Sequence, residues 1–233
     1  MKTTASLAVV LSAVLYLGPL FLDAPLTDPD EGLHAVIAQE MYERGEGVVP
    51  RFLGHAFLDK PIIFFWAQVA SMAAFGMTTA AARLPGMLFA LLGVASTGWL
   101  ARVLFDARTG WMAATCYATM TLPFMLAQAP VHDMALVPLV NLTLACLWKA
   151  GRRESGLGVR DSAFAGMLLG LSILTKGLEG VAIVGVGYVS YLLLTRGVTW
   201  RVVWRGVVVL VIAGVVAAPW YVSMAAREPG YLA

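Results

Sequence analysis

Apolar residues fall along this chain in long runs separated by short polar breaks. A helix needs roughly 20 apolar residues to cross a hydrocarbon layer of ~30 Å. Thr3–Leu22, Leu84–Leu104 and Trp111–Ala129 are runs of that kind, and Met134–Trp148, Ser162–Thr175, Val181–Leu194 and Gly206–Trp220 are shorter runs that charge places as crossings. They predict an all-α, polytopic membrane helix bundle of about seven transmembrane helices, forming a single transmembrane domain over residues 1–233. The first run follows Lys2 and ends at Asp23-Ala24-Pro25 with no small-x-small cleavage site, so it reads as a retained helix rather than a signal peptide.

Two stretches break this rhythm. Asp23 to Lys60 is polar and opens the first outer loop, 23–83; within it, Ala35, Ile37, Ala38 and Met41 recur at helical spacing, so residues 31–44 predict a short amphipathic helix led in by Pro29. Ile62–Gly76 is apolar but would reach only ~22 Å as a helix. It is expected to lie on the outer leaflet, with Phe64, Phe65 and Trp66 at the headgroup boundary. Ser162 to Leu194 would make a helix of ~50 Å, too long for one crossing. Lys176-Gly177 and Glu179-Gly180 interrupt it, and basic clusters flank it on both sides, so a two-helix hairpin is required.

Charge fixes the orientation. With Ile62–Gly76 kept from crossing, Lys2, Arg102, Arg108, Lys149, Arg152, Arg153, Arg160, Arg196, Arg201 and Arg205 gather on one face, ten of the sixteen basic residues. Eleven of the fourteen acidic residues gather on the other, eight of them in the polar loop. Basic loops stay cytoplasmic, so the acidic face is the outer one. Composition agrees with membrane residence: 60% of residues are hydrophobic, 13% are charged, and mean hydropathy is +0.79. A net charge of +2 is too small to suggest nucleic acid. Cys116 and Cys146 sit inside apolar runs as small hydrophobes, outside any disulfide or metal framework.

This orientation brings Asp28, Asp30, Glu31, Lys60, Asp133, Lys176 and Glu179 to the outer face from four parts of the chain. Asp28, Glu40, Glu43 and Glu46 read as solvated loop acids. Asp133 stands in a turn of a few residues between two apolar helices, and Lys176 interrupts another apolar run. Ionised groups so near the membrane are costly without partners, which points to function; ion pairs of Lys176 with Glu179 or of Asp133 with His132 would satisfy them structurally. Asp30, Glu31, His34, Asp133 and His132 could offer ligands to a divalent metal, but their spacing is not that of a metal motif, and no metal or cofactor is assigned.

An ordered series of motifs then carries a resemblance. Asp28-Pro29-Asp30-Glu31-Gly32, Glu40-Met41, Gly45, Val48-Val49-Pro50-Arg51, Gly54 and Asp59-Lys60-Pro61 are followed by Ala82-Arg83-Leu84-Pro85, the Asp133 turn, Leu174-Thr175-Lys176-Gly177 and Pro219-Trp220-Tyr221. The series resembles the type C membrane glycosyltransferases, which include the aminoarabinose transferases acting on lipid A and the protein O-mannosyltransferases. The resemblance implies an inverting transfer of a sugar from a polyprenyl-phosphate donor to a lipid or protein acceptor, at a site on the non-cytoplasmic face of a bacterial inner membrane.

By the same resemblance, Asp30 is the catalytic carboxylate, assisted by Glu31 and Asp133, and the donor phosphate is met by Lys60, Lys176 and Arg51. The apolar surface around Ile62–Gly76 would hold the lipid chain. Two departures stand out: Ile62 and Leu53 occupy positions where the family commonly has Pro and Asn. Family members also continue well beyond the Pro-Trp-Tyr motif, so a second chain could supply the remainder; the alternative readings are a non-catalytic lipid-carrier-binding or transporter-like subunit, or an incomplete fragment of a transferase.

Overall fold

The computed structural model describes residues 11–22, 25–26, 29–152 and 159–232. Asp23, Asp28 and Arg153, and the first run before Leu11, lie outside the described residues. The chain is an all-α membrane helix bundle carrying one two-stranded hairpin.

A first helix, α1, covers Leu11–Phe21. Helix α2, Pro29–Arg44, begins with proline, which needs no N–H partner in a first turn, and sets Asp30 and Glu31 against its positive end. Gly45 at φ +62° ends it: Gly45 N–H bonds Tyr42 O and Glu46 N–H bonds Met41 O, the two closing bonds of a Schellman cap. Ala35, Ile37, Ala38 and Met41 are all buried, as their spacing predicts.

Strands β1 (Arg51–Phe52) and β2 (His55–Ala56) pair antiparallel, with Arg51 opposite Ala56 and Phe52 opposite His55. Both turn residues, Leu53 (φ 50°) and Gly54 (φ 83°), are left-handed, as a tight two-residue hairpin turn demands. The turn N–H groups point at the Glu40 carboxylate, Gly54 N at 3.1 Å. Glu46 likewise accepts the N–H of Val48 at 2.8 Å and pairs with Arg227 at 2.9 Å. Glu40 and Glu46 are therefore backbone acceptors that shape the loop, which corrects their reading as solvated acids.

Helix α3, Ile63–Phe75, turns Phe64 and Phe65 fully inward; of the aromatic trio only Trp66 faces out, its indole N–H bonded to Gly47 O at 2.8 Å. The expectation that all three sit at the headgroups fails for Phe64 and Phe65, because the elements folded over α3 offer a deeper apolar site than the interface does. Helix α4, Thr79–Leu104, starts five residues earlier than the apolar run, with Thr78 accepting Ala81 N–H at its N-terminus. It contains Pro85, whose missing N–H leaves the Ala81 carbonyl without its helical bond. Ser71 of α3 donates to that carbonyl at 2.7 Å, and Gln68 donates to Ala82 O at 3.2 Å. The Ala82-Arg83-Leu84-Pro85 motif thus docks α3 on α4.

The expected single helix over Trp111–Ala129 is two: α5 (Ala107–Thr119) and α6 (Thr121–Gln128), divided at an extended Met120 (φ −72°, ψ 137°). Pro123 explains the break, since its ring would meet the Thr119 carbonyl in a continuous helix. Helices α7 (Asp133–Arg152), α8 (Val159–Lys176), α9 (Glu179–Leu194) and α10 (Trp200–Arg227) follow. The hairpin between α8 and α9 turns at Gly177, φ +65°. Among the described residues, α4, Asp133–Gly151 of α7 and α10 are long and apolar enough to cross a membrane by length and composition alone.

Close approach of α8 and α10 depends on Gly166 and Gly170: a Cβ at either would lie 2.7 or 2.6 Å from Ile212 or Val216. Small residues four apart let membrane helices pack backbone to backbone. One apolar cluster lies under the outer loop, joining Ile37, Met41, Val49, Ile62 and Phe65 to Trp220 and Met224 of α10. Trp220 also donates to Val48 O at 2.9 Å, which gives the Pro219-Trp220-Tyr221 motif its structural role.

Leu53 pays the steric cost of a left-handed backbone that asparagine tolerates better. Leu53→Asn is expected to stabilise the purified protein by about 0.5–1 kcal/mol, read as a higher melting temperature with unchanged helical content.

Candidate active site

Of the charges expected at the outer boundary, Asp133, Lys176 and Glu179 meet where the α6–α7 turn adjoins the α8–α9 turn. Lys176, the last residue of α8, holds Asp133 at 2.8 Å and Glu179 at 3.0 Å. One ammonium therefore ties the start of α7 to the start of α9. The ion pair of Lys176 with Glu179 expected from the sequence is present, and Asp133 pairs with Lys176 rather than with His132.

The neighbouring residue, His132, is fully buried, packed against Phe64 at 4.9 Å, Phe65 at 4.8 Å and His34 at 4.8 Å between ring centroids. Neither of its ring nitrogens has a hydrogen-bond partner; the Pro61 carbonyl lies nearby without good bonding geometry. His34, one helical turn beyond Asp30 on α2, reaches the Pro130 carbonyl with Nδ1 at 3.1 Å. A carbonyl only accepts, so Nδ1 carries the proton and Nε2 the lone pair of the neutral ring.

Burial pushes the His132 pKa well below that of a free imidazole, and the nearby His34, Lys60 and Lys176 push the same way. Burial also lowers His34, against the opposing pull of Asp30 and the Pro130 bond. Both rings are neutral at pH 7. Lys60 acts electrostatically on both imidazoles, Lys176 on His132 and Asp30 on His34.

Glu31 and Arg51 stand differently. Glu31 forms a buried ion pair with Arg83 of α4 at 3.1 Å, and Arg83 also donates to Pro25 O at 2.8 Å. Arg51 is engaged by Glu228, just past the end of α10, and by Gly54 O at 3.3 Å. Lys60 pairs with Asp59 at 3.2 Å, and that carboxylate is 70% exposed, so the lysine is lightly held. Among the described residues, no group of three or more His, Cys, Asp or Glu side chains is arranged to hold a metal ion.

Beside the Asp133–Glu179 edge opens a cleft of about 450 Å³, walled by Tyr117, Leu126, Val137, Val140 and Ile183. It lies between α5–α6, α7 and α9, and the break at Met120 forms part of its wall.

A family model described as dolichyl-phosphate-mannose-protein mannosyltransferase matches residues 59–222, most of the chain. The chain belongs to that family. It is 31% identical, over 93% of its length, to an undecaprenyl phosphate-alpha-4-amino-4-deoxy-L-arabinose arabinosyl transferase of Aeromonas hydrophila, and 28% identical, over 97%, to that of Yersinia enterocolitica. It covers 40% and 41% of those relatives, so it spans about two-fifths of the curated relatives it matches. The crystal structure of ArnT from Cupriavidus metallidurans bound to undecaprenyl phosphate superposes with a TM-score of 0.88 at 27% identity, covering 99% of this chain and 43% of that one. The apo form of the same protein gives 0.86.

Within this mannosyltransferase-family chain, sequence reasoning passed over His34, His132 and Arg83 as components of the site. The sequence offers His34 and His132 as possible metal ligands and His132 as a partner for Asp133, and leaves Arg83 inside a motif with no role of its own. The one available signal was that Ala129-Pro130-Val131-His132-Asp133 places a histidine beside an intramembrane acid.

The His132 shift sets a pH window. Unfolded, the ring protonates below about pH 6.5; folded, it stays neutral to a much lower pH. The unfolded state thus binds more protons below that value, and stability present above pH 6.5 is lost as pH falls. The detergent-solubilised protein should melt progressively lower from pH 7.5 to 5, and His132→Phe should flatten that dependence and raise the melting temperature at pH 5. An unchanged slope in the variant refutes the assignment.

Proposed function

We propose that this chain carries the donor-binding and acid–base portion of an inverting glycosyltransferase, moving a sugar from a polyprenyl-phosphate donor to a lipid or protein acceptor at the outer face of the membrane. The observation that supports it best is the Lys176–Asp133 pair at 2.8 Å beside the buried His132. The names of the relatives, which join undecaprenyl phosphate to a sugar and a transferase activity, agree with it.

In this reading the acceptor hydroxyl attacks the anomeric carbon while Asp30, exposed on the first turn of α2, takes its proton. The bond from that carbon to the phosphate oxygen breaks, and the configuration inverts. Negative charge grows on the departing polyprenyl phosphate, where Lys60 and Lys176 supply fixed positive charge in a site of low dielectric. Asp133, already bonded to Lys176, orients that ammonium. Glu31 and Arg51, held by Arg83 and Glu228, keep the loop in shape around the reacting groups. The apolar cleft beside Asp133 offers room for isoprenoid units, in place of the surface of α3, whose Phe64 and Phe65 are buried.

A second reading is that the chain binds the lipid carrier and does not complete transfer by itself. A transfer assay with labelled undecaprenyl-phosphate sugars, run on this chain alone and with a candidate partner chain, separates the two. Asp30→Asn should abolish transfer while leaving membrane insertion intact. Lys60→Ala should weaken donor binding by about 10- to 100-fold, the loss of one charge-assisted contact of ~1.5–3 kcal/mol. Donor binding with no transfer under either condition supports the carrier-binding reading.

The orientation has its own check. In a cysteine-free background, a cysteine at His55 should react with a membrane-impermeant reagent added outside, and cysteines at Asp106 and Val198 should not.

A further inference from the structure

We propose that His34 is a positioning residue, which clamps the turn bearing Asp133 against the helix bearing Asp30 through its partner ring, His132. The proposal rests on the transferase reading of this site, but its central geometry can be measured without any activity.

Asp30 and Asp133 come from distant parts of the chain, on α2 and at the start of α7. His34 spans that gap with a buried hydrogen bond to Pro130 O, 96 residues away in sequence. The turn it grips is tight: Val131 N–H bonds Ala129 O at 2.8 Å, and Ala135 N–H bonds His132 O at 3.1 Å as α7 begins. A pull on Pro130 is therefore passed directly to Asp133. The second contact is edge-on, His34 against His132 at 68° between ring planes, with Phe57, Phe65 and Phe64 closing around the pair.

The arrangement is costly. His132 carries two nitrogens without partners in a buried site, where a phenylalanine would pack without that penalty. His34, by contrast, needs its N–H: a phenylalanine there could keep the ring contacts but would leave the Pro130 carbonyl without its bond. The helix with Asp30 and the turn with Asp133 would then be joined by ring packing alone, which is less directional.

The experiment places nitroxide labels at Glu43 on α2 and Met125 on α6, both exposed, in a cysteine-free background, and measures their distance distribution. Binding of undecaprenyl phosphate in detergent is measured on the unlabelled proteins. His34→Phe should broaden the distribution and weaken binding roughly tenfold, about one hydrogen bond. His34→Asn, whose amide N–H stands near the original Nδ1, should restore both.

A distribution in His34→Phe as narrow as in the parent, or no recovery in His34→Asn, overturns the proposal. A parent that binds no undecaprenyl phosphate counts against the donor-site reading instead, and the distances alone then decide the role of His34. Should His34→Phe fail to fold, ¹⁵N spectra of the histidine-labelled parent decide: the Nδ1–H tautomer of His34 at neutral pH is required, and the Nε2–H tautomer refutes the clamp.

Discussion

An ammonium at the edge of a membrane cannot be left without counter-charge, and in this protein Lys176 answers that constraint by drawing two carboxylates to itself. Asp133 opens α7, Glu179 opens α9 and Lys176 closes α8, so three helix ends meet at a single nitrogen. Each carboxylate also sits in the first turn of its helix and the lysine in the last turn of its own, where the helix dipoles favour those signs. Two of these ends, Asp133 and Glu179, line the cleft, and Asp133 directly follows the buried His132. Here the geometry is set by charge.

The outer loop is organised by the complementary rule that buried backbone groups must find partners. Glu40 serves the hairpin turn, Glu46 serves Val48 and Val49, Ser71 serves the carbonyl freed by Pro85, and Trp220 serves Val48 O. These contacts join loop to helix, and α10 to both. The motifs that carry the family resemblance fall into two populations. Arg83-Leu84-Pro85 in α4 and Pro219-Trp220-Tyr221 in α10 hold the scaffold, whereas the side chains of Asp30 and Lys60 reach the surface.

Much of the bundle was legible in the chain because run length and charge bias report directly on membrane crossing. The inward face of α2 and the hairpin at Gly177 follow from spacing and from basic clusters that have to share a side. The break at Met120 did not emerge, although Pro123 was in plain view, because mean apolarity does not register a missing N–H. The burial of Phe64 and Phe65 escaped for a different reason: an aromatic triplet looks alike whether it meets headgroups or a folded loop. The contact of His34 with Pro130 leaves no trace in local pattern, since its partner arrives from a distant segment. Asp30, Lys60 and Asp133 were placed on one face by topology, but their roles came from the family resemblance and not from periodicity.

The α8–α9 hairpin is short for its surroundings. Its arms of 18 and 16 residues reach about 27 and 24 Å, against a hydrocarbon layer of ~30 Å. Lipid beside the hairpin must therefore thin, or the arms must draw the turn below the level of the neighbouring headgroups. Either adjustment sinks the Lys176 ammonium toward the hydrocarbon, so hydrophobic mismatch deepens the need for the two carboxylates that flank it.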